Sequence, residues 1–483
     1  MRHLSVNAVS FHQKPFTGIP AKPKPSTPKI RTKAGYRNST ASTGNRPAGS
    51  SNAYATSDRS NVNRTPVPLR VEGRALTLPS PFSPRTKIEE PPPVTRPFAN
   101  LRVLDLTTTI AGPYCARLLA DGGADVIKIE SPEHDTMRSR PPLRAGASTF
   151  YGQLNAGKRG LVLDLKRPEA VAIVRRLVET ADVLVENFRP GVMARFGLDY
   201  DTLRVLNPRL IYTAISGFGQ TGPSAGLPAY APAIHAASGF DLAHMAQQPG
   251  RETPDNCGIY IADVLSGTYA YAATTTALLH RASTGRGQLV DVSMLESMLT
   301  LPLTEVQTAQ FPQPPSGRPL FCPVATATGY IMPTIASERS FQNLARAAGR
   351  PDWITDPRFA RYADRRANWH LMFEEIELWS RTLTSEACMA ALTEAGVPCS
   401  AYRTVAEALA DPQLAHRGAL AEVHDAGGSF HAVNPPYRLS ETSIAIAPFA
   451  AAPGQHSREI LHEAGYSEPE IAALIASAAV QAA

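Results

Sequence analysis

From residue 101 onward the chain alternates short runs of strand character with longer runs of helical character, and no other feature restricts its fold as much. The run 101–106 passes through a threonine-rich turn into a helix that opens at Ala111-Gly112-Pro113, with Pro113 suited to its first position. That helix ends near Gly122-Gly123, and 125–130 (DVIKIE) reads as the next strand, which completes a βαβ unit. A strand at 160–165, a helix at 168–180, a strand at 182–186, short helices around Met193 and Leu203, and a strand at 210–215 continue the pattern. Parallel strands need crossovers, and helical crossovers cover both faces of the sheet. The pattern therefore predicts a doubly wound, Rossmann-like α/β domain over 98–300, completed by a helical stretch from Asp263 to about Arg281 and a strand at 288–294. Proline-rich sequence at 311–323 marks a linker, assigned to 301–325. A smaller second domain is expected at 326–420, mostly helical between 338 and 412 with a strand near 397–402. Residues 421–483 should return to the large domain with closing helices at 457–464 and 469–479.

The first 97 residues have a different texture, holding 15 of the 43 prolines and no sustained hydrophobic period. Such a segment buries too little apolar area to offset its conformational entropy, so a disordered, basic, Pro/Ser-rich extension is expected. Residues 1–96 carry a charge of +12, and the rest of the chain −6, so the overall +6 belongs to the extension and the folded body is mildly acidic. The extension reads as a linker, a targeting segment or residues upstream of the true start; a nucleic-acid-binding arm is the alternative, and it lacks basic–aromatic interleaving. At 43% apolar and 19% charged, the body can bury a sizeable core. No window approaches 18 uninterrupted apolar residues and no secretory signal opens the chain, which excludes a membrane-spanning helix and predicts a soluble, cytoplasmic protein. Cys115, Cys257, Cys322, Cys388 and Cys399 are scattered without a CxxC pair, so reduced thiols and no metal site are expected.

Three segments carry candidate chemistry. Gly217-Phe218-Gly219-Gln220-Thr221-Gly222 is formally GxGxxG, but a dinucleotide fingerprint must open a helix, and this one runs into Pro223, Gly226 and Pro228. It reads as a glycine loop. The helix start at Ile110 to Pro113 offers backbone N–H groups at the sheet's carboxyl edge, where a phosphate-bearing ligand or an ordinary turn could sit. Asp263 heads the long helix after the run 258–262 and is either an N-cap or a nucleophile kept ionised by the helix dipole, with Ser266, Gly267 and Thr268 leaving space for a bulky electrophile.

Taken together in order, IAGP (110–113), VIKIESP (126–132), NAGKRGLVLDLK (155–166), DVLVENFRPGVMARFGL (182–198), LNPRLIYTAISGFGQTGP (206–223), IADVLSGTYA (261–270) and TGRGQLVDVSMLE (284–296) resemble the class III CoA-transferases of the CaiB/BaiF type. The resemblance covers roughly four fifths of the chain, from residue 101. It implies that Asp263 is the nucleophile and that CoA, a co-substrate and not a tightly bound cofactor, lies along Ile110, Ala111, Leu163, Lys166, Asn187, Phe188 and Arg195. Gly217, Gly219 and Tyr230 would form an oxyanion or substrate loop. It also implies an interlocked homodimer and transfer of CoA from an acyl-CoA to a carboxylic acid through aspartyl anhydride and aspartyl-CoA thioester intermediates. Two positions depart from the family: Ala231 stands where an acid often follows the tyrosine, and proline replaces a glycine-rich lid in 301–325. A 2-methylacyl-CoA racemase of the same superfamily is the enzymatic alternative. That chemistry needs two acid/base groups, and Tyr230-Ala231 occupies the place of its His-Asp pair, leaving His235 as the nearest substitute.

Overall fold

The computed structural model describes residues 96–248, 250–254, 256–312 and 321–483, so the expected extension, apart from Arg96 and Pro97, lies outside the described residues, as does any role of it in binding nucleic acid. One sheet organises the described chain. Its parallel strands are β1 (Arg102–Asp105), β2 (Asp125–Glu130), β3 (Lys158–Leu163), β4 (Val183–Glu186), β5 (Ile211–Ser216) and β6 (Leu289–Ser293). A short β7 (Val480–Gln481) pairs antiparallel with β3 at the edge, giving the order β7-β3-β2-β1-β4-β5-β6. The order runs outward in both directions from β1, and ligands of such sheets bind outside the strand carboxyl ends where it reverses, here between β1 and β4.

The strands are near-continuous apolar runs because both faces are covered. Leu104, Ile127, Leu161 and Leu184 face one core shared with α2 (Pro168–Val178), where Ile173, Val174 and Leu177 are buried. Val103, Val126, Val183, Val185 and Ile211 face the other, shared with α1 (Ala111–Asp121) and α4 (Ile261–Thr284). Each fully buried side chain of this kind contributes about 1.5–3 kcal/mol, so the alternation of core-facing side chains fixes which helix lies on which face. Between β5 and α4 lie two short helices, the first of which is α3 (Ala231–Ala237). The helix α1 begins at Ala111 with Ile110 at the N-cap, so Pro113 sits two residues inside the start expected for it, still in the turn whose N–H groups lack helical acceptors.

The chain beyond residue 321 builds a separate apolar core around Val324, Ile331, Phe341, Trp353, Phe359, Ile376 and Leu392, under helices Glu338–Ala347, Trp369–Ser380 and Ser385–Glu394. A three-stranded antiparallel sheet crosses it, with Cys399–Ala401 where a strand was expected. Among the elements not read from the sequence are the helix Thr149–Asn155, α3 itself, the hairpin Leu420–Asp425 with Gly428–Val433, and β7. The expected linker also begins differently, since Leu303–Gln310 is helical, and 313–320 lies outside the described residues. No described helix is long and apolar enough to cross a membrane.

Candidate active site

At the switch point the loops leaving β1 and β4 are fastened to each other. The Asn187 side chain accepts the Thr108 N–H at 2.9 Å and donates to the Thr108 carbonyl at 2.8 Å. The amide expected to meet CoA is therefore already used as a clamp between the two loops. The next residue of the first loop, Thr109, adopts φ +72°, a strained conformation for a branched side chain. It is held there by Asp135, which its N–H reaches at 3.3 Å.

Beneath that loop lies a web of buried charge. Asp105, fully buried, accepts Lys158 Nζ at 2.8 Å and the Thr107 N–H at 2.9 Å. Lys128 donates to the Thr107 carbonyl and stands 3.4 Å from Asp135, while Lys158 also donates to Pro113 O and Asn155 Oδ1, each at 2.9 Å. Burial by itself would raise the Asp105 pKa, but the two ammonium groups hold it below the usual carboxylate range. Burial pushes Lys158 down to about 8, against the pull of Asp105. The web gives the β1–α1 loop a fixed backbone.

Two cavities open at this edge. The first, about 220 Å³, brings together Thr108, Ala111, Asn187, Phe188, Gly217, Tyr230 and Asp263. The second, about 170 Å³, is lined by Leu106, Ile129, Leu163, Lys166, Phe188 and Phe196. Thr108 and Phe188 border both. Eight of the expected site residues thus line the two cavities around one clamp: Ala111, Asn187, Phe188, Gly217, Tyr230 and Asp263 at the first, and Leu163, with Phe188 again and Lys166, at the second. Ile110 is buried at the N-cap of α1 just behind them.

Other residues fall short of their expected places. Lys166 is 77% exposed at the mouth of the second cavity and pairs with Glu133 at 3.4 Å, so its ammonium remains in water. Arg195, exposed at the end of the short helix Val192–Arg195, lines neither cavity. Gly219 is buried, and the next N–H, of Gln220, is taken by Asp291 at 3.0 Å, so only Gly217 of the glycine loop reaches the Asp263 cavity. No helix opens at 217–222.

Asp263 itself is not the cap of its helix: Tyr260 holds that position, and Asp263 lies in the first turn of α4. Among the described residues nothing donates a hydrogen bond to its carboxylate. Burial therefore dominates and pushes its pKa up to about 6, so the dipole does not keep it at an ordinary carboxylate value. Two of the three small residues after it are buried and meet protein. The Ser266 hydroxyl donates to Ala262 O at 2.7 Å, and a Cβ on Gly267 would stand 2.5 Å from the Ala111 carbonyl. Only glycine lets α4 cross the start of α1 this closely, which places Asp263 over the β1–α1 loop.

Sequence reasoning missed several contributors. Glu186, at the end of β4, accepts the Phe188 N–H at 2.8 Å, and burial raises its pKa to about 8 despite that bond, with Asp291 adding to the rise. Arg189 lines the Asp263 cavity and has no ion-pair partner among the described residues. Ser216 also lines it, with a buried hydroxyl that finds no partner there. The Asp105, Lys128 and Lys158 web left no local signal, because its members sit on three strands. Another cavity, about 710 Å³, lies apart from Asp263 and is lined by residues between 133 and 151 together with Asp425, Ala426 and 450–453. Among the described residues no group of His, Cys, Asp and Glu could hold a metal ion.

A carboxylate with no hydrogen-bond donor among the described residues thus stands at the switch point, beside the first turn of α1 and an apolar cleft. The model of CoA-transferase family III matches residues 98–457. A succinate–glutarate CoA-transferase of Agrobacterium fabrum is 34% identical over 388 residues, spanning 76% of this chain and 95% of that protein. A succinyl-CoA–D-citramalate CoA-transferase of Chloroflexus aurantiacus is 35% identical over 407 residues, spanning 78% and 97%. The crystal structure of a CaiB/BaiF family protein from Brucella suis superposes with a TM-score of 0.69 at 31% identity, covering 77% of this chain and all of that one. With its α/β sheet, its switch-point cavities and these matches, the chain belongs to CoA-transferase family III and is a CoA-transferase.

Proposed function

We propose that the protein moves CoA from an acyl-CoA to a carboxylic acid through covalent intermediates on Asp263. The observation that carries this reading is the Asp263 carboxylate, unpaired among the described residues, with a pKa raised to about 6, on the wall of the switch-point cavity. A carboxylate oxygen of Asp263 attacks the thioester carbon, and collapse of the tetrahedral adduct breaks the C–S bond, giving an aspartyl-acyl anhydride and CoA thiolate. The thiolate attacks the aspartyl carbonyl and releases the donor acid, leaving an aspartyl-CoA thioester. The acceptor carboxylate attacks that thioester to form a second anhydride, and the thiolate then takes the new acyl group, restoring Asp263. Each step exchanges acyl derivatives of similar energy, so orientation and oxyanion stabilisation carry the rate. Gly217 and the first turn of α1 are placed to supply N–H groups.

The apolar cleft of Leu163, Phe188 and Phe196 suits the nucleotide end of CoA, with Lys166 at its mouth, and the clamp residues Thr108 and Phe188 mark the passage toward Asp263. The relatives named above act on succinate, glutarate or citramalate, and the unpaired guanidinium of Arg189 in the Asp263 cavity fits the second carboxylate of such an acid. Short dicarboxylic acids are therefore the substrates proposed. We also propose a cytoplasmic homodimer of interlocked chains, with 326–420 as its smaller domain. Exposed Val264, Tyr269 and Leu279 on α4, with Leu299, Leu301 and Leu303 after it, are apolar surface that a second chain would cover. The racemase alternative lacks its second base, since Ala231 is buried in the core and the ring of His235 is bonded to backbone.

Trapping tests the reading. Acyl-CoA plus hydroxylamine should convert Asp263 to a hydroxamate seen by mass spectrometry. Transfer at the wild-type rate in Asp263→Ala would overturn it.

A further inference from the structure

The helix that carries Asp263 begins without a local cap. Tyr260 stands at the N-cap, its side chain bonds no backbone N–H, and the Ile261 N–H turns back to Ile259 O at 2.9 Å. A helix start leaves several N–H groups that need acceptors from elsewhere. One of them is met from 27 residues away: His235 Nε2 accepts the Ala262 N–H at 3.1 Å. The ring is only 2% exposed and packs against Phe240 at a centroid distance of 5.7 Å. An accepting Nε2 puts the proton of the neutral ring on Nδ1. Burial favours that neutral form and lowers the His235 pKa, with the charge of Asp241 pulling the other way.

We infer that His235 is a positioning residue for Asp263, acting as a long-range cap that ties α3 to the residue immediately before the nucleophile. The inference rests on the proposed role of Asp263. Its logic follows from the cavity: no described side chain holds the Asp263 carboxylate, so its aim depends on the backbone beneath it. Ala262 is fully buried in the core and pinned by His235, which leaves Asp263 little freedom beyond its own side-chain torsions. The same ring sets the distance between Asp263 and Tyr230, because Tyr230 is the N-cap of α3. Both residues line the cavity whose geometry the reaction needs.

The test replaces the acceptor while keeping the volume. His235→Leu removes it, and His235→Gln keeps a carbonyl that can reach Ala262. In the Leu variant kcat should fall about tenfold, as for loss of a helix cap, with KM for acyl-CoA within about twofold. Hydroxamate formation at Asp263 should slow by the same factor, and the Gln variant should recover most of both. If the Leu variant does not fold, His235→Asn takes its place, since its shorter amide cannot reach Ala262. Wild-type kcat in the Leu or Asn variant, or equal losses with and without an acceptor, would overturn the inference. Active wild-type protein that yields no hydroxamate at Asp263 would instead remove the nucleophile reading, and the inference with it.

Discussion

Two regions of one sheet edge hold an aspartate drawn back from water, in opposite electrostatic states. At the end of β1, Asp105 enters the interior with cations, with Lys158 Nζ at 2.8 Å and Lys128 Nζ at 4.0 Å, and its pKa lies below the usual range. On α4, Asp263 is half-buried with no cation paired to it among the described residues, and its pKa rises to about 6. The residue type is the same. What differs most is whether opposite charge stands beside it, and that separates a carboxylate that fixes a loop from one left free to react.

The contrast is broken most directly by making the same substitution in both places. Asp263→Asn should reduce CoA transfer by about a thousandfold or more, measured by acyl exchange, because the nucleophile is gone. Its stability should move the other way. A carboxyl whose folded pKa is raised binds more protons folded than unfolded, so it costs stability once the pH exceeds its unfolded value, and the neutral amide removes that cost. Asp263→Asn should therefore melt at a higher temperature than the wild type at pH 7.5.

Asp105→Asn should lose stability, by about 3–5 kcal/mol in denaturant titration, because two buried ammonium groups lose their counter-charge. A carboxyl with a depressed folded pKa stabilises the protein above its unfolded value and loses that contribution as the pH falls through the folded value, so the deficit of the variant should shrink in acid. If both amides shifted the melting temperature in the same direction, the comparison would fail.

A pH profile sharpens it further. With the Asp263 pKa at about 6, kcat/KM should fall about tenfold per pH unit below that value, because the protonated carboxyl does not attack. An acid limb near 4 would mean that a cation pairs with Asp263 in the working enzyme. The smallest effect belongs to Lys166. Exposed and paired with Glu133, it should give, on change to Ala, a rise in KM for acyl-CoA of no more than about fivefold that vanishes at high salt, with kcat unchanged.

The sequence by itself determined the main order of strands and helices, the parallel sheet and the family, and it singled out Asp263 as a candidate. Those properties are written locally, in apolar periodicity, in glycine and proline at element ends, and in short motifs whose order is preserved. Tertiary structure alone decided which buried charges meet. Strand register sets Asp105 opposite Lys128 and brings Lys158 alongside from β3, although 53 residues separate Asp105 from Lys158. It also decided that Gly267 gives room to the Ala111 carbonyl, that Arg195 stands away from both cavities, and that His235 answers an N–H of α4. Burial and pairing depend on what the fold brings within about 4 Å, and no local stretch of sequence records that distance.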